Sequence, residues 1–223
     1  EAENPSLQVF LKLCKSIRKI KVRTNADTPE DAARAVKFGA EGIGLFRTEH
    51  MFYGEGSEEP LFILRKMIMS GGADERRKVL KELFPRMKQD MKATMEVMGD
   101  MPVTIRLLDP PLHEFVPKDK ARQKELADAL KIDLNELQKR INDLHETNPM
   151  MGHRGVRLGV TYPEVTETQI RAILEAAAEL LKEGKKPLPE IMIPVLAEAR
   201  ELENQFEVVK RVHKEVCEKF DLK

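Results

Sequence analysis

The chain has 223 residues, 41% of them hydrophobic, enough to bury one sizeable core or most of a larger one. Lys plus Arg and Asp plus Glu each number 38, so the net charge is zero and bulk attraction to nucleic acid or an anionic membrane is excluded. Two cysteines, Cys14 and Cys217, are too few and too far apart for a disulfide scaffold or a zinc site. No apolar run nears the roughly 20 residues that span a bilayer, and the acidic start Glu1-Ala2-Glu3 is no signal peptide, which points to a cytoplasmic protein.

In chain order, Leu7, Phe10, Leu11, Leu13 and Ile17 predict a leading helix over 6–16, packed outside the next elements and setting residues 1–19 apart. Ile20 to Asn25 alternates apolar and polar residues and reads as a first strand. Thr28 then caps a helix with Pro29 at its first position and Glu30 and Asp31 in its first turn, and Gly39 stops it. Gly42-Ile43-Gly44-Leu45-Phe46-Arg47-Thr48-Glu49-His50-Met51-Phe52 reads as a buried strand that delivers an arginine and a glutamate at its carboxyl end. Strand, helix and strand make one right-handed βαβ unit.

A long helical region runs from Pro60 to Met98, broken at Gly71-Gly72, with Met87, Met91, Met95 and Met98 as part of a stripe expected to pack a core. Val103 to Asp109 reads as a third strand, again with an arginine and a carboxylate near its end. The prolines of Asp109-Pro110-Pro111-Leu112-His113-Glu114-Phe115-Val116-Pro117 predict an ordered loop rather than helix. Beyond it, a charged helical excursion over about 119–145 is placed to cover or gate a site. A fourth strand is expected at about Gly155 to Val160. The next helix is opened by the capping box Thr166-Glu167-Thr168-Gln169 and stopped by Gly184. A fifth strand over Ile191 to Leu196 and a last helix over 198–219 complete the chain. Five parallel strands alternating with helices, with insertions at about 60–99 and 112–147, predict an α/β fold. It is the first part of a (βα)8 barrel over 20–223, since a whole barrel usually takes about 250 residues.

The candidate chemistry rests on Arg47, Arg106 and Arg154, each placed beside a strand. Guanidinium forks hold carboxylate or phosphate bidentately, and three converging on one mouth suit a small, multiply charged phosphorylated acid. The alternative from spacing is that each pairs with a neighbouring acid such as Glu49, Asp109 or Glu114. Among the histidines, His50 and His113 are candidates for hydrogen-bonding support near strand ends, and His153 for orienting the neighbouring arginine. His145 and His213 read as helix-surface residues, and no histidine metal site is expected.

The stretches Gly42 to Phe52, Arg106 to Phe115 and Asn148-Pro149-Met150-Met151-Gly152-His153-Arg154-Gly155 closely resemble the pyruvate, phosphate dikinases, in their carboxyl-terminal phosphoenolpyruvate/pyruvate domain. The match runs from about Ile20 to Leu196. The resemblance implies passage of a phosphoryl group between a phosphohistidine on a swivelling domain and the pyruvate enolate, with Mg2+, and ATP bound elsewhere in a longer protein that is a homodimer. It implies that Arg47 and Arg106 hold the phosphoryl and carboxylate groups, with Arg154, or in competition Arg157, as a third contact. Glu49, His50, Asp109 and His113 would support them. The family's metal-binding carboxylates and proton-donating cysteine fall beyond Lys223, so no catalytic or metal-ligating residue is expected in this chain. Turnover by the chain alone is not expected either. Cys14 and Cys217 are expected to be packing residues, and Phe46 to be buried where the dikinases often carry cysteine. Phosphoenolpyruvate synthase, enzyme I of the sugar phosphotransferase system, and a non-catalytic half-barrel acting as a binding or assembly module remain as alternatives.

Overall fold

A computed structural model describes residues 4–53 and 56–222. The start Glu1 to Glu3 and the last residue, Lys223, lie outside the described residues. Four strands form one parallel sheet in the order β1 (Thr24–Asn25), β2 (Ile43–Arg47), β3 (Pro102–Arg106) and β4 (Leu188–Met192). The helices are α1 (Pro5–Ile17), α2 (Pro29–Lys37), α3 (Glu58–Met69), α4 (Ala73–Met98), α5 (Lys120–Leu130), α6 (Leu134–Asp143), α7 (Val156–Thr161), α8 (Pro163–Lys182) and α9 (Ala199–Phe220). Parallel strands joined through helices, with both insertions helical, make an open part of a TIM-type barrel.

One face of the sheet is buried. Ile43, Phe46, Val103 and Ile105 share a core with Met87, Met91, Met95 and Met98 of α4 and with Ile170, Ile173, Ala176 and Leu180 of α8. The methionine stripe is therefore core, and Phe46 is 2% exposed, as expected for both. Because side chains alternate along a strand, Thr104 and Glu190 point the other way, where Arg23 donates to Glu190 Oε2 at 2.5 Å and to Thr104 Oγ1 at 3.2 Å. Leu188 is 50% exposed on this second face, which in a closed barrel would be its interior.

The helix limits obey their local signals. Thr28 Oγ1 accepts from Asp31 N at 3.1 Å with Pro29 at the first position of α2, and Gly39 takes φ +86 just after its end. Glu198 and Glu201 form a reciprocal capping box at the start of α9. The excursion is two helices, α5 and α6, both packed against α3, and Arg140 of α6 donates to Met69 O at 2.6 Å. The Pro-rich loop is irregular apart from one 3-10 turn at Leu112–Glu114.

Several expectations are corrected. The fourth strand expected at Gly155 to Val160 is helix α7, so the sheet has four strands rather than five. A short apolar run with glycines fits either element by periodicity, and tertiary packing decides it. A Cβ on Gly159 would come within 2.5 Å of Thr166 Oγ1 and 2.4 Å of Gln205 Oε1, so glycine lets α7 lie close against α8 and α9. The first strand is only two residues long, with Ile20 and Val22 exposed, although Glu41 N still donates to Val22 O. The last strand begins at Leu188 and ends at Met192, before Pro194 and before Val195, which takes φ +60. Thr166 does not open its helix. Pro163 occupies the first position of α8, and Thr166 and Gln169 are buried within it. Cys14 is exposed rather than packed, because α1 buries no residue; it is held by Arg18–Glu41 at 2.6 Å and by Gln8 Nε2 on Lys37 O. Cys217 is half-buried, its Sγ 3.6 Å from His213 Nε2.

Between α4, α8 and α9 the core is bordered by charge pairs. Arg76 pairs with Glu164, which is 3% exposed, and Lys219 reaches the 2% exposed Glu175 at 2.8 Å. Met91→Ala, at a position of zero exposure, is expected to lower unfolding free energy by about 2–5 kcal/mol in urea denaturation. Glu164→Ala, which strands the Arg76 guanidinium, is expected to cost about 3–5 kcal/mol, much of it recovered when Arg76→Met is added.

Hydrogen bonds from Arg211 hold the Glu167 carboxyl below the ordinary glutamate range, and those from Lys88 and from Arg171 do the same for Glu179 and Glu215. Depressed carboxyl values stabilise the fold above the unfolded-state value and lose that contribution as pH falls through the folded one. Thermal stability is therefore expected to decline as pH drops below the ordinary glutamate range, and less steeply in Glu167→Gln.

Candidate functional site

The carboxyl edge of the sheet gathers the charged residues. Arg47 ends β2, Arg106 ends β3, and the two are register partners. Neighbouring strands lie about 4.8 Å apart, so two guanidinium groups leave the backbone side by side. Asp27 stands two residues after β1, Glu49 lies in a 3-10 turn (Thr48–Phe52) directly after β2, and Asp109 comes after β3. Arg154 comes from the segment before α7.

Each arginine is held by carboxylate. Asp27 Oδ2 accepts from Arg47 Nη2 at 2.5 Å and Nε at 3.1 Å, while Oδ1 accepts from the Arg47 backbone N–H at 2.8 Å. His50 Nδ1 lies 3.1 Å from the same Oδ2. Arg106 pairs with Glu49 through Nη2 and with Asp109 Oδ2 through Nη1 at 3.0 Å. Arg154 donates to the same Asp109 Oδ2 at 2.8 Å and to Asp109 O at 3.1 Å. Asp109 thus bridges Arg106 and Arg154, whereas Arg47, adjacent to Arg106 along the sheet edge, turns to Asp27. The pairing with neighbouring acids raised from spacing is present at Glu49 and Asp109 but not at Glu114.

Burial works to raise the Asp27 carboxyl, but the Arg47 hydrogen bonds and the nearby His50 outweigh it, leaving the group below its ordinary value. The same side-chain bond raises the Arg47 guanidinium. Glu49 Oε2, Asp109 Oδ1, Arg106 Nε and His113 Nδ1 are buried without a hydrogen-bond partner among the described residues.

The loops that carry these groups are packed on each other. Phe115 meets Phe52 edge-on at 6.2 Å and stacks on Tyr53 at 5.8 Å, and Arg65 of α3 donates to Phe115 O at 2.7 Å. Gln169 of α8 accepts from Leu108 N at 3.0 Å and donates to Thr48 Oγ1 at 3.1 Å. One buried amide therefore ties the residue after Arg47 to the residue before Asp109.

Among the described residues no hydrogen bond joins His113 to an arginine; its ring lies 5.9 Å from that of the exposed His145. His213 is also exposed, as expected. His153 does not orient Arg154: its ring bonds to Thr161 Oγ1 and meets the Tyr162 ring edge-on at 5.4 Å, and burial lowers its pKa. Arg157 donates to the carbonyls of Met151 and Gly152, so of the two competing arginines only Arg154 joins the Asp109 pair. A cleft of about 1120 Å³ between α1 and α2 reaches Asp27 and Arg47 but neither Arg106 nor Arg154.

Asp27, Thr48 and Gln169 were not evident as site residues from sequence. The strand-end rule that singles out Arg47 reaches Asp27 as well, but the residues before Thr28 read as the approach to a helix cap. Gln169 has no local signal, because its partners are 61 and 121 positions away.

Residues 1–222 match the family described as PEP-utilising enzyme, PEP-binding domain. The pyruvate, phosphate dikinase of Clostridium symbiosum is 50% identical over 200 residues, which are 89% of this chain and 22% of that protein. That of Giardia intestinalis is 48% identical over 206 residues, 92% of this chain and 23% of the relative. A chloroplastic one of Arabidopsis thaliana is 46% identical over 217 residues, 96% and 22% respectively. The chain thus spans under a quarter of the length of these relatives. A profile match over nearly every residue leaves the arginine-lined edge of this sheet within a known lineage, and the chain belongs to the PEP-utilising enzymes, in their PEP-binding domain.

Proposed function

We propose that this chain supplies the anion-holding part of a pyruvate, phosphate dikinase-type site, in which Arg47, Arg106 and Arg154 hold the phosphoryl and carboxylate groups of phosphoenolpyruvate. The observation that carries this reading is the register pairing of Arg47 with Arg106 at the carboxyl edge of a parallel sheet, where such folds bind ligands. Arg154 extends the row through Asp109. Phosphoryl transfer depends on positioning and on neutralising charge spread over oxygens, which suits guanidinium groups fixed before the ligand arrives. In this reading the longer protein passes the phosphoryl group between a phosphohistidine on another domain and pyruvate, acts in the cytoplasm, and works as a homodimer. The names of the relatives support the dikinase assignment.

The residues present do not fit a magnesium site. No group of three or more His, Cys, Asp or Glu among the described residues could hold a metal ion, and Asp27, Glu49 and Asp109 are each engaged by arginine. The Mg2+ of the family is therefore assigned to ligands elsewhere in the longer protein. Proton donation to the enolate is assigned there as well: Cys14 lies in α1 and Cys217 in α9, and neither belongs to the arginine row. Among the described residues no helix is long and apolar enough to cross a membrane.

Calorimetric titration with phosphoenolpyruvate tests the reading. Weak binding that changes little with Mg2+ is expected from the chain, together with loss of binding in an Arg47→Ala, Arg106→Ala double variant. Binding that survives in a folded double variant refutes the arginine assignment. Mixing the chain with a phosphohistidine donor and pyruvate is expected to give no phosphoenolpyruvate, and turnover would show that the catalytic set is complete within it.

A further inference from the structure

We infer that Asp27 is a positioning residue for substrate, fixing the Arg47 guanidinium so that its free edge faces a phosphorylated carboxylic acid. The inference rests on the proposed role of Arg47 as an anion-holding residue.

The carboxylate at Asp27 is held differently from the other two at this edge. Oδ1 accepts from the Arg47 backbone N–H at 2.8 Å and from Arg47 Nε at 3.3 Å; Oδ2 accepts from Nε and Nη2 and lies 3.1 Å from His50 Nδ1. Both oxygens are therefore occupied, and one bond goes to backbone that a ligand cannot displace. By contrast, Glu49 and Asp109 each bury one oxygen without a partner among the described residues. A carboxylate that merely filled an empty anion site would bond only to the groups the anion needs, and Asp27 does more than that.

The bonds to Nε and Nη2 occupy one edge of the guanidinium plane. A side-on carboxylate of this kind fixes both the plane and its rotation. Nη1 has no protein hydrogen-bond partner among the described residues. Exposure shows the same division: the Asp27 side chain is 9% exposed and that of Arg47 is 35%. The buried carboxylate thus grips the inner edge and leaves the outer one accessible. Because Asp27 follows β1 and Arg47 ends β2, the grip crosses the strand pair, and it shares no carboxylate with the Glu49 and Asp109 pairs that hold Arg106.

The competing expectation has the opposite sign. Were Asp27 only a nearby negative charge, removing it would strengthen attraction for an anion. Were it a positioning residue, removing it would loosen Arg47 and weaken binding despite the gain in positive charge.

Titration of the 223-residue chain with phosphoenolpyruvate, in wild type, Asp27→Asn, Arg47→Ala and the double variant, separates these cases. Asp27→Asn, nearly isosteric, is expected to raise Kd by about tenfold or more, the scale on which supporting partners of a ligand-holding group act. In the Arg47→Ala background the same change is expected to have no further effect, because its action passes through Arg47. An additive effect in the two backgrounds, or unchanged or tighter binding in Asp27→Asn while Arg47→Ala weakens it, overturns the positioning role and leaves Arg47 as a ligand contact. Wild-type binding that is absent, or unchanged in Arg47→Ala, instead removes the substrate reading and this inference with it. The Arg47 Nε–Hε resonance gives a second readout in the unliganded chain. It is expected to exchange slowly with water in wild type and rapidly in Asp27→Asn; rapid exchange in wild type would show that the grip does not exist in solution.

Discussion

Two arginines in register at the edge of a parallel sheet are a constraint that much of the surrounding structure answers. Arg47 and Arg106 leave adjacent strands side by side, and their mutual repulsion in a partly desolvated edge must be offset by carboxylates that are themselves fixed. β1 provides Asp27 for one; the turn after β2 and the loop after β3 provide Glu49 and Asp109 for the other. The chain leaves the sheet directly after β2, as a 3-10 turn at Thr48–Phe52, and after β3 once Leu107 has made a last bond to Met192 O, as a proline-bound loop after Asp109, so that the acids can turn back toward the guanidinium groups.

Holding those loops is the task of residues that carry no charge to the site. The Phe52, Tyr53 and Phe115 rings pack the two loops together, and the Gln169 amide, buried in α8, satisfies Leu108 N and Thr48 Oγ1 at once. A buried amide that lost one of these partners would leave an unsatisfied group, so the two strand ends are coupled through it. The helix layer is therefore part of the site's support, and its own charge pairs among α4, α8 and α9 keep α8 in place.

Much of what depends on near neighbours could be read in the sequence, although the local box at Thr166–Gln169 misplaced the start of α8. The cap of α2, the glycine break between α3 and α4, the methionine stripe and the arginines that end β2 and β3 are all local patterns, and the structure carries them. Features that depend on distant packing could not be read. Gly155 to Val160 has a strand-like composition and becomes helix because Gly159 lets it press against Thr166 and Gln205, a contact with no mark in the hydrophobic pattern. His153 stands beside Arg154 in sequence, yet its ring joins Thr161 and Tyr162 once α7 forms, since a helical turn brings i+8 and i+9 around where a strand would carry them away. Asp27 was hidden for a similar reason, lying between two recognisable signals and belonging to neither.

The local charge count shapes what the edge can do. Arg47, Arg106 and Arg154 face Asp27, Glu49 and Asp109, so the row is balanced before any ligand arrives. Such a row cannot attract a multiply charged anion by net charge, in keeping with a chain whose overall charge is zero. For the proposed role, affinity would have to come from donors already aimed, at little reorganisation cost. Unbalanced arginines alone would bind any phosphate; arginines already gripped by carboxylates offer only their remaining N–H groups, and so demand an anion whose oxygens match those few directions. In the proposed role, the acids at the mouth would exchange affinity for geometric discrimination, favouring anions that match the remaining donors.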